Sequence, residues 1–169
     1  VNKIVDLALV EGDGTNGFKS IDKEADAKKI KKITTKAKSA GKTPFADAIE
    51  EAVDFVRPTA GRRYLIVKAE DRKALLDELR QATANANVRI KNDDAEIASE
   101  VGVDEIIVYT GTKAVKPTVL VDQKYHIDMQ DITKVDSFEW KTNSNMILVE
   151  TLTSGHVETY NAGAVITVA

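Results

Sequence analysis

The sequence predicts an α+β fold, with a helix-bearing lobe up to about residue 130 and a β-rich tail beyond it. Three observations carry the prediction. Phe45, Ala48, Ile49, Ala52, Val53 and Val56 form one apolar stripe at helical spacing, opposite Asp47, Glu50, Glu51 and Asp54. Tyr64 to Val67 is a short continuous apolar run, and a helical pattern with Ala74, Leu75 and Leu79 inward begins at Asp71; strand, turn and helix make one α/β unit. From Phe138 onward, short alternating runs are separated by polar turns, the pattern of an antiparallel meander.

In chain order, Val1, Ile4, Val5, Ala8 and Leu9 recur at helical spacing and predict the end of a helix stopped by Gly12, with a strand over Leu7 to Val10 as the alternative. The chain starts at Val1 rather than Met, inside this amphipathic pattern, which suggests a piece of a longer protein. Glu11 to Ile21, EGDGTNGFKSI, holds three glycines and an Asp-Gly pair. Such a stretch forces a sharp change of direction, because Gly tolerates positive φ and Asp bonds its own backbone.

Asp22 to Lys38 then sets seven lysines around two isoleucines. A solvated face or loop is the plain expectation; a basic patch meeting phosphates or an acidic neighbour is the functional one. Thr43 is placed to cap, and Pro44 to open, the striped helix, which Arg57, Pro58 and Gly61 stop. Thr83 to Val101 reads as a loop with a short helix near Ala95 to Glu100. Val103 to Tyr109 is the next strand, closed by Gly111, and Thr118 to Ile127 another. In the tail, strands are expected at Phe138 to Trp140, Met146 to Thr151, His156 to Tyr160 and Val165 to Val168, with a turn at Ser154 and Gly155.

At 169 residues the chain can bury one substantial core, as one domain or two merged lobes. A hydrophobic fraction of 43% and a charged fraction of 30% are ordinary for a soluble protein. The net charge of -3 argues against a molecule that grips nucleic acid over its whole surface, while leaving room for local basic patches. With no cysteine there is no disulfide framework, thiolate metal site or Cys nucleophile, which fits a cytosolic origin. No apolar run approaches the roughly 18 residues of a membrane helix, and no signal-peptide pattern is present.

Tests for chemistry come out negative. Gly12, Gly14 and Gly17 spell GxGxxG, but a helical pattern precedes them, and the position where a ribose-binding acid belongs falls in the lysine tract. Asp13 and Glu24 have the first-to-twelfth spacing of a calcium loop, yet its glycine position is Phe18, and Thr15 and Gly17 supply at most one weak oxygen. His126 and His156 are thirty residues apart in separate strands, without the ligand set of a zinc site or a nucleophile elbow. Glu50 with Glu51, and Asp93 with Asp94, read as solvated faces. No catalytic, cofactor-binding or metal residue is expected.

The order of a helix end running into GDGTNGFKSI, then YLIVKAEDRKALLDEL, then SFEWKTNSNMILVETLTSGHVETYNAGAVITV resembles the major capsid proteins of tailed bacteriophages with the Hong Kong 97 fold. The matching positions are Gly12 to Thr15, Leu65 to Leu79, and Phe138, Asn145, Ile147 to Glu150, Ala162 and Val165. The resemblance implies the end of a spine helix at 1–12, an axial domain with a mixed sheet flanked by helices at 13–130, and the β-rich C-terminal segment of the peripheral domain at 131–169. Gly12, Asp13, Gly14, Thr15 and Gly17 would be the structural turn between helix and axial lobe. The N-terminal arm, extended loop and most of the spine helix of the family are missing.

The implied function is collective: pentamers and hexamers in an icosahedral shell around double-stranded DNA, with scaffolding and portal proteins as further partners. The shell would form in the bacterial cytoplasm and end as the virion, with no membrane and no cofactor. Lys28, Lys31 and Lys32 are then candidate subunit contacts, with an acidic neighbour as their partner. Asn143 and Glu150 are candidates for the crosslink some members form, although the matching loop Lys is absent. An encapsulin-type shell, and an α/β enzyme or ligand-binding domain, are the alternatives.

Overall fold

The computed structural model describes residues 2–15, 17–37, 42–84, 89–129, 133–139, 144–150 and 153–168, the strands at 133–139 and 144–150 by backbone pairing alone. Helix α1 (Asn2–Asp6) runs into a π-helical turn, Leu7–Glu11, and a 3-10 turn follows at Ile21–Lys23. Then come β1 (Ile30–Thr34), α2 (Pro44–Val56), β2 (Arg63–Val67), α3 (Ala69–Ala82), α4 (Asp94–Val101), β3 (Glu105–Val108), β4 (Thr118–Val121), β5 (Tyr125–Met129), β6 (Thr133–Glu139), β7 (Ser144–Glu150), β8 (Thr153–Val157) and β9 (Gly163–Thr167). The α+β class expected from the sequence is the class observed.

Five strands form a mixed sheet in the order β1-β9-β4-β2-β3. The outer pairs β1–β9 and β2–β3 are parallel, and the central pairs β9–β4 and β4–β2 antiparallel. Alternate residues of each strand feed two cores, as a period of two requires. Ile33, Leu65, Val67, Val119, Val121, Ala164 and Ile166 meet α2, α3 and α4 on one face. On the other, Ile30, Val165 and the half-buried Ile66 and Leu120 meet Leu9, Ile21, Tyr109, Val115 and Val157. Each fully buried Ile or Leu contributes roughly 1.5–3 kcal/mol relative to exposure.

The striped helix α2 buries Phe45, Ala48, Ile49, Ala52, Val53 and Val56 as its spacing predicts. Thr43 does not cap it with its side chain; the Thr43 hydroxyl donates to Asp47 Oδ1 at 2.9 Å instead. The cap comes from α3. Glu78, 5% exposed, accepts from Phe45 N at 3.0 Å and Ala46 N at 2.8 Å. On α3 the inward residues are Leu75, Leu76, Glu78 and Leu79, while Ala74 faces out. Helix α4 starts at an Asp93 cap and ends at Gly102 with φ 74, a left-handed stop.

Four expectations for the strands are corrected. The lysine tract contains β1, a sheet edge: Ile30 and Ile33 bury on opposite faces, and lysines between them suit an exposed edge. The run Thr118 to Ile127 breaks in two, because Gln123 turns the chain with φ 58 and sends β4 and β5 to different sheets. Ser154 and Gly155 lie inside β8, paired with Asp128 and Ile127, and are no turn. The tail is not one meander. β6 and β7 pair with each other, β8 returns beside β5, and β9 enters the main sheet between β1 and β4. β5 with β8 forms one antiparallel two-stranded ribbon, and β6 with β7 another.

The return into the sheet is locked at Asn161. It takes φ 54, donates from its backbone N–H to Lys28 O at 2.7 Å, and donates its side-chain amide to Phe55 O at 2.7 Å near the end of α2. Thr59 Oγ1 donates to Asn161 O at 2.9 Å. Asn161→Ala is therefore expected to cost about 1–3 kcal/mol, read as a shift of the urea unfolding midpoint.

Candidate functional site

The glycine turn reverses the chain as expected, by two different means. Gly14 (φ 82) and Gly17 (φ 92) occupy the left-handed region. Gly12 does not: its φ is -63, and glycine is needed there because a Cβ would lie 2.6 Å from Leu7 O and 2.7 Å from Phe18 O. Gly12 N donates to Leu7 O at 3.0 Å, closing the π-helical turn, and Ser20 N donates back to Gly12 O at 2.9 Å. Asp13 Oδ1 accepts from Thr15 N at 2.8 Å, the local bond an Asp turn provides. Gly14 N to Phe18 O at 2.6 Å closes the loop.

The turn then docks on the β5–β8 ribbon. Lys19 N donates to Gly155 O at 2.7 Å, and Gly155 N to Gly17 O at 2.8 Å. A Cβ on Gly17 would stand 2.4 Å from Thr153 O, and one on Gly155 would stand 2.7 Å from Tyr125 Oη and 2.8 Å from Phe18 Cδ1. Two backbones approach where neither carries a side chain. Tyr125 Oη donates to Lys19 O at 3.1 Å, and burial pushes this phenol up to about 12. The partners Gly155, Phe18 and Tyr125 were missed in the sequence; a glycine interrupting an alternating strand was the available signal of a close backbone approach.

Ion pairs hold the helix that precedes the turn. Tyr109 Oη donates to Asp6 Oδ1, a bond that, with burial, holds the Tyr109 hydroxyl above its ordinary value. Glu11 pairs with Lys113 at 2.7 Å and with Lys3, which lower its carboxyl from 4.5. Inside the turn's exit, Glu24 is buried and pairs with Lys19 at 3.0 Å. Burial pushes the Glu24 carboxyl up, but the Asp26 N–H at 2.9 Å and the Lys19 ammonium outweigh it and hold the group below 4.5. A carboxyl depressed in the folded state gives stability that is complete above the unfolded-state value and lost as pH falls below it, through the folded value. The urea midpoint is expected to fall below about pH 4.5 and Glu24→Gln to flatten that fall.

The candidate contact lysines are not equivalent. Lys31 pairs with Glu51 at 2.8 Å and lies over the Phe55 ring. Lys32 Nζ donates to Asp22 O. Lys28 is exposed beside the Asn161 turn. Asn143 lies outside the described residues, and Glu150 is placed by its pairing with Thr133 at the base of β7. His126 and His156, apart in sequence, are cross-strand partners. Among the described residues no group of three or more His, Asp or Glu side chains stands in metal-binding geometry, and no helix is long and apolar enough to cross a membrane.

No family model matches the chain. Over its whole length it is 95% identical to the capsid protein of Lactococcus phage p2 and 95% identical to the capsid protein of Lactococcus phage SK1, and it spans 43% of the length of each. Among solved structures it is similar to the capsid of an empty GTA particle, with TM-score 0.49 and 14% identity over 99% of this chain and 64% of that one. It is similar also to the satellite phage P4 procapsid including size determination (Sid) protein, with TM-score 0.46 and 16% identity over 88% of this chain and 49% of that one. An identity of 95% to capsid proteins does not favour the encapsulin-type, enzyme or ligand-binding alternatives. The chain is thus similar throughout to a portion, less than half, of these phage capsid proteins.

Proposed function

We propose that the chain is the lobe-forming portion of a major capsid subunit with the Hong Kong 97-like fold, which assembles with its copies into an icosahedral shell around double-stranded DNA. The observation that carries this reading is the 95% identity to phage capsid proteins over the full chain. Residues 1–12 are read as the end of the spine helix, 13–130 as the axial domain and 131–169 as the C-terminal segment of the peripheral domain, whose last strand, β9, returns to the axial sheet. The role is structural rather than enzymatic. Its place is the virion, after assembly in the bacterial cytoplasm with scaffolding and portal proteins.

In this reading the turn Gly12, Asp13, Gly14, Thr15 and Gly17 sets the angle between spine helix and lobe, and copies meet head to tail in closed rings. Lys28 is the strongest of the three candidate contacts, because Lys31 and Lys32 already hold partners in their own chain. Glu150 closes β7 and, with Asn143, stays the candidate for a crosslink between subunits. The full-length protein carrying Lys28→Glu is expected to sediment as subunits or open assemblies where the parent gives shells. Unchanged shells would remove Lys28 from the interface, and a parent that never assembles would remove the shell reading itself.

A further inference from the structure

We propose that the groove where α2 and α4 end receives Lys28 of a neighbouring copy of this chain; the contact rests on the shell reading and names what joins its subunits. The groove holds about 330 Å³. Buried Val53 and Val101 form its floor, and the exposed Glu50, Asp54 and Glu100 stand around it with Arg57. Arg57 is already turned onto Asp54, 2.6 Å away. The carboxylates of Glu50 and Glu100 have no hydrogen-bond or ion-pair partner among the described residues. Two helix C-termini add partial negative charge at the same place. A lysine suits both parts of such a groove, since its methylenes lie on the valines while its ammonium stays among the carboxylates. A phosphate would be repelled.

Position selects a second copy as the source. Strands β1, β9, β2 and β3 run in one direction and α2 and α4 return against it, so the groove and the start of β1 lie at one end of the sheet. Asn161 fixes that level, holding Lys28 O with its backbone and Phe55 O, near the end of α2, with its side chain. The flanks are opposite. Lys28 precedes edge strand β1, whereas α4 leads into edge strand β3, about 19 Å away across four strand spacings. On α2, Glu51 and Phe55 meet Lys31 of β1, while Glu50, Val53, Asp54 and Arg57, at helical spacing, form the side toward α4. A basic group and an acidic groove at one level on opposite flanks is what a closed head-to-tail ring requires.

The other lysines of the tract do not fit. Lys29 donates to Val157 O at 2.9 Å, and Lys31 and Lys32 hold their own partners. Lys23 belongs to the 3-10 turn on the other face of the sheet, and Lys36 lies past the far end of β1. Lys28 is exposed, its backbone N–H is held by Asp26 Oδ1 at 2.9 Å, and among the described residues no carboxylate pairs with its ammonium.

Charge exchange in the full-length protein tests the contact, with assembly read by sedimentation at increasing protein concentration. Lys28→Glu and Glu100→Lys are each expected to raise the concentration needed for half-assembly at least fivefold. Combined, they exchange the two charges and are expected to bring it back to within about twofold of the parent, which separates a direct pair from two independent effects. Circular dichroism checks the fold of each variant, and Glu50→Lys replaces Glu100→Lys if that chain does not fold. Single variants that assemble like the parent, or a combination no better than the worse single variant, overturn this contact and leave the shell reading standing. A parent that forms no shells overturns both.

Discussion

Gly17→Val is expected to unseat the glycine turn from the ribbon and to destabilise the chain by about 3–4 kcal/mol. Two penalties coincide at this position. Its φ of 92 is one a β-branched residue rarely takes, and a Cβ would meet Thr153 O at 2.4 Å, a backbone atom held within β8. Gly14 separates the two. It has a similar φ of 82, but a Cβ there finds nothing nearer than the flexible Lys19 side chain at 3.6 Å. Gly14→Ala should therefore show only the conformational cost, about 1–2 kcal/mol.

The same variant has a local readout. With the turn displaced, Tyr125 loses the cover that pushes it up to about 12, and its titration should move toward the ordinary 10.0. Tyrosinate absorbance follows this, with Tyr125→Phe identifying the signal. A Gly17→Val chain with parental stability and an unmoved Tyr125 would mean that the docking of turn on ribbon is wrong.

Glu78→Ala is expected to cost about 2–4 kcal/mol, because it strips a charged acceptor from two buried N–H groups at the start of α2. Both bonds converge on one oxygen, Oε2. Glu78→Gln keeps an oxygen there and loses only the charge facing the positive end of the helix, so roughly half the loss is expected. Thr43→Ala is the control. Its hydroxyl bonds Asp47 and not the helix N–H groups, and its replacement should change stability by less than about 0.5 kcal/mol. Urea unfolding gives the free energies, and hydrogen exchange at Phe45 and Ala46 tests whether the loss is at the cap.

What was legible in the sequence was what periodicity and turn chemistry encode. The α2 stripe, the YLIV strand with its following helix, the short α4 and the reversal at Gly12 to Gly17 are all local statements, and all are present in the structure. What was not legible depends on partners distant in the chain. KKIKKI has too few apolar residues to read as a strand until β9 lies beside it. Glu78 looks like a surface position on a charged helix until Phe45 and Ala46 point their N–H groups at it. Ser154 and Gly155 carry the composition of a turn, yet sit in β8 because Gly155 is where Phe18 and Tyr125 close in. The histidine pair exists only through strand register.

In the proposed capsid reading, a glycine turn carries a helix end into a lobe built on a five-stranded sheet. Cryo-electron microscopy of the full-length protein under assembly conditions tests it most directly. Closed particles are predicted, with these lobes converging around fivefold and sixfold axes and a helix entering each at Gly12. Only soluble monomers under every assembly condition, or closed shells whose axes are formed by some other part of the subunit, would contradict it.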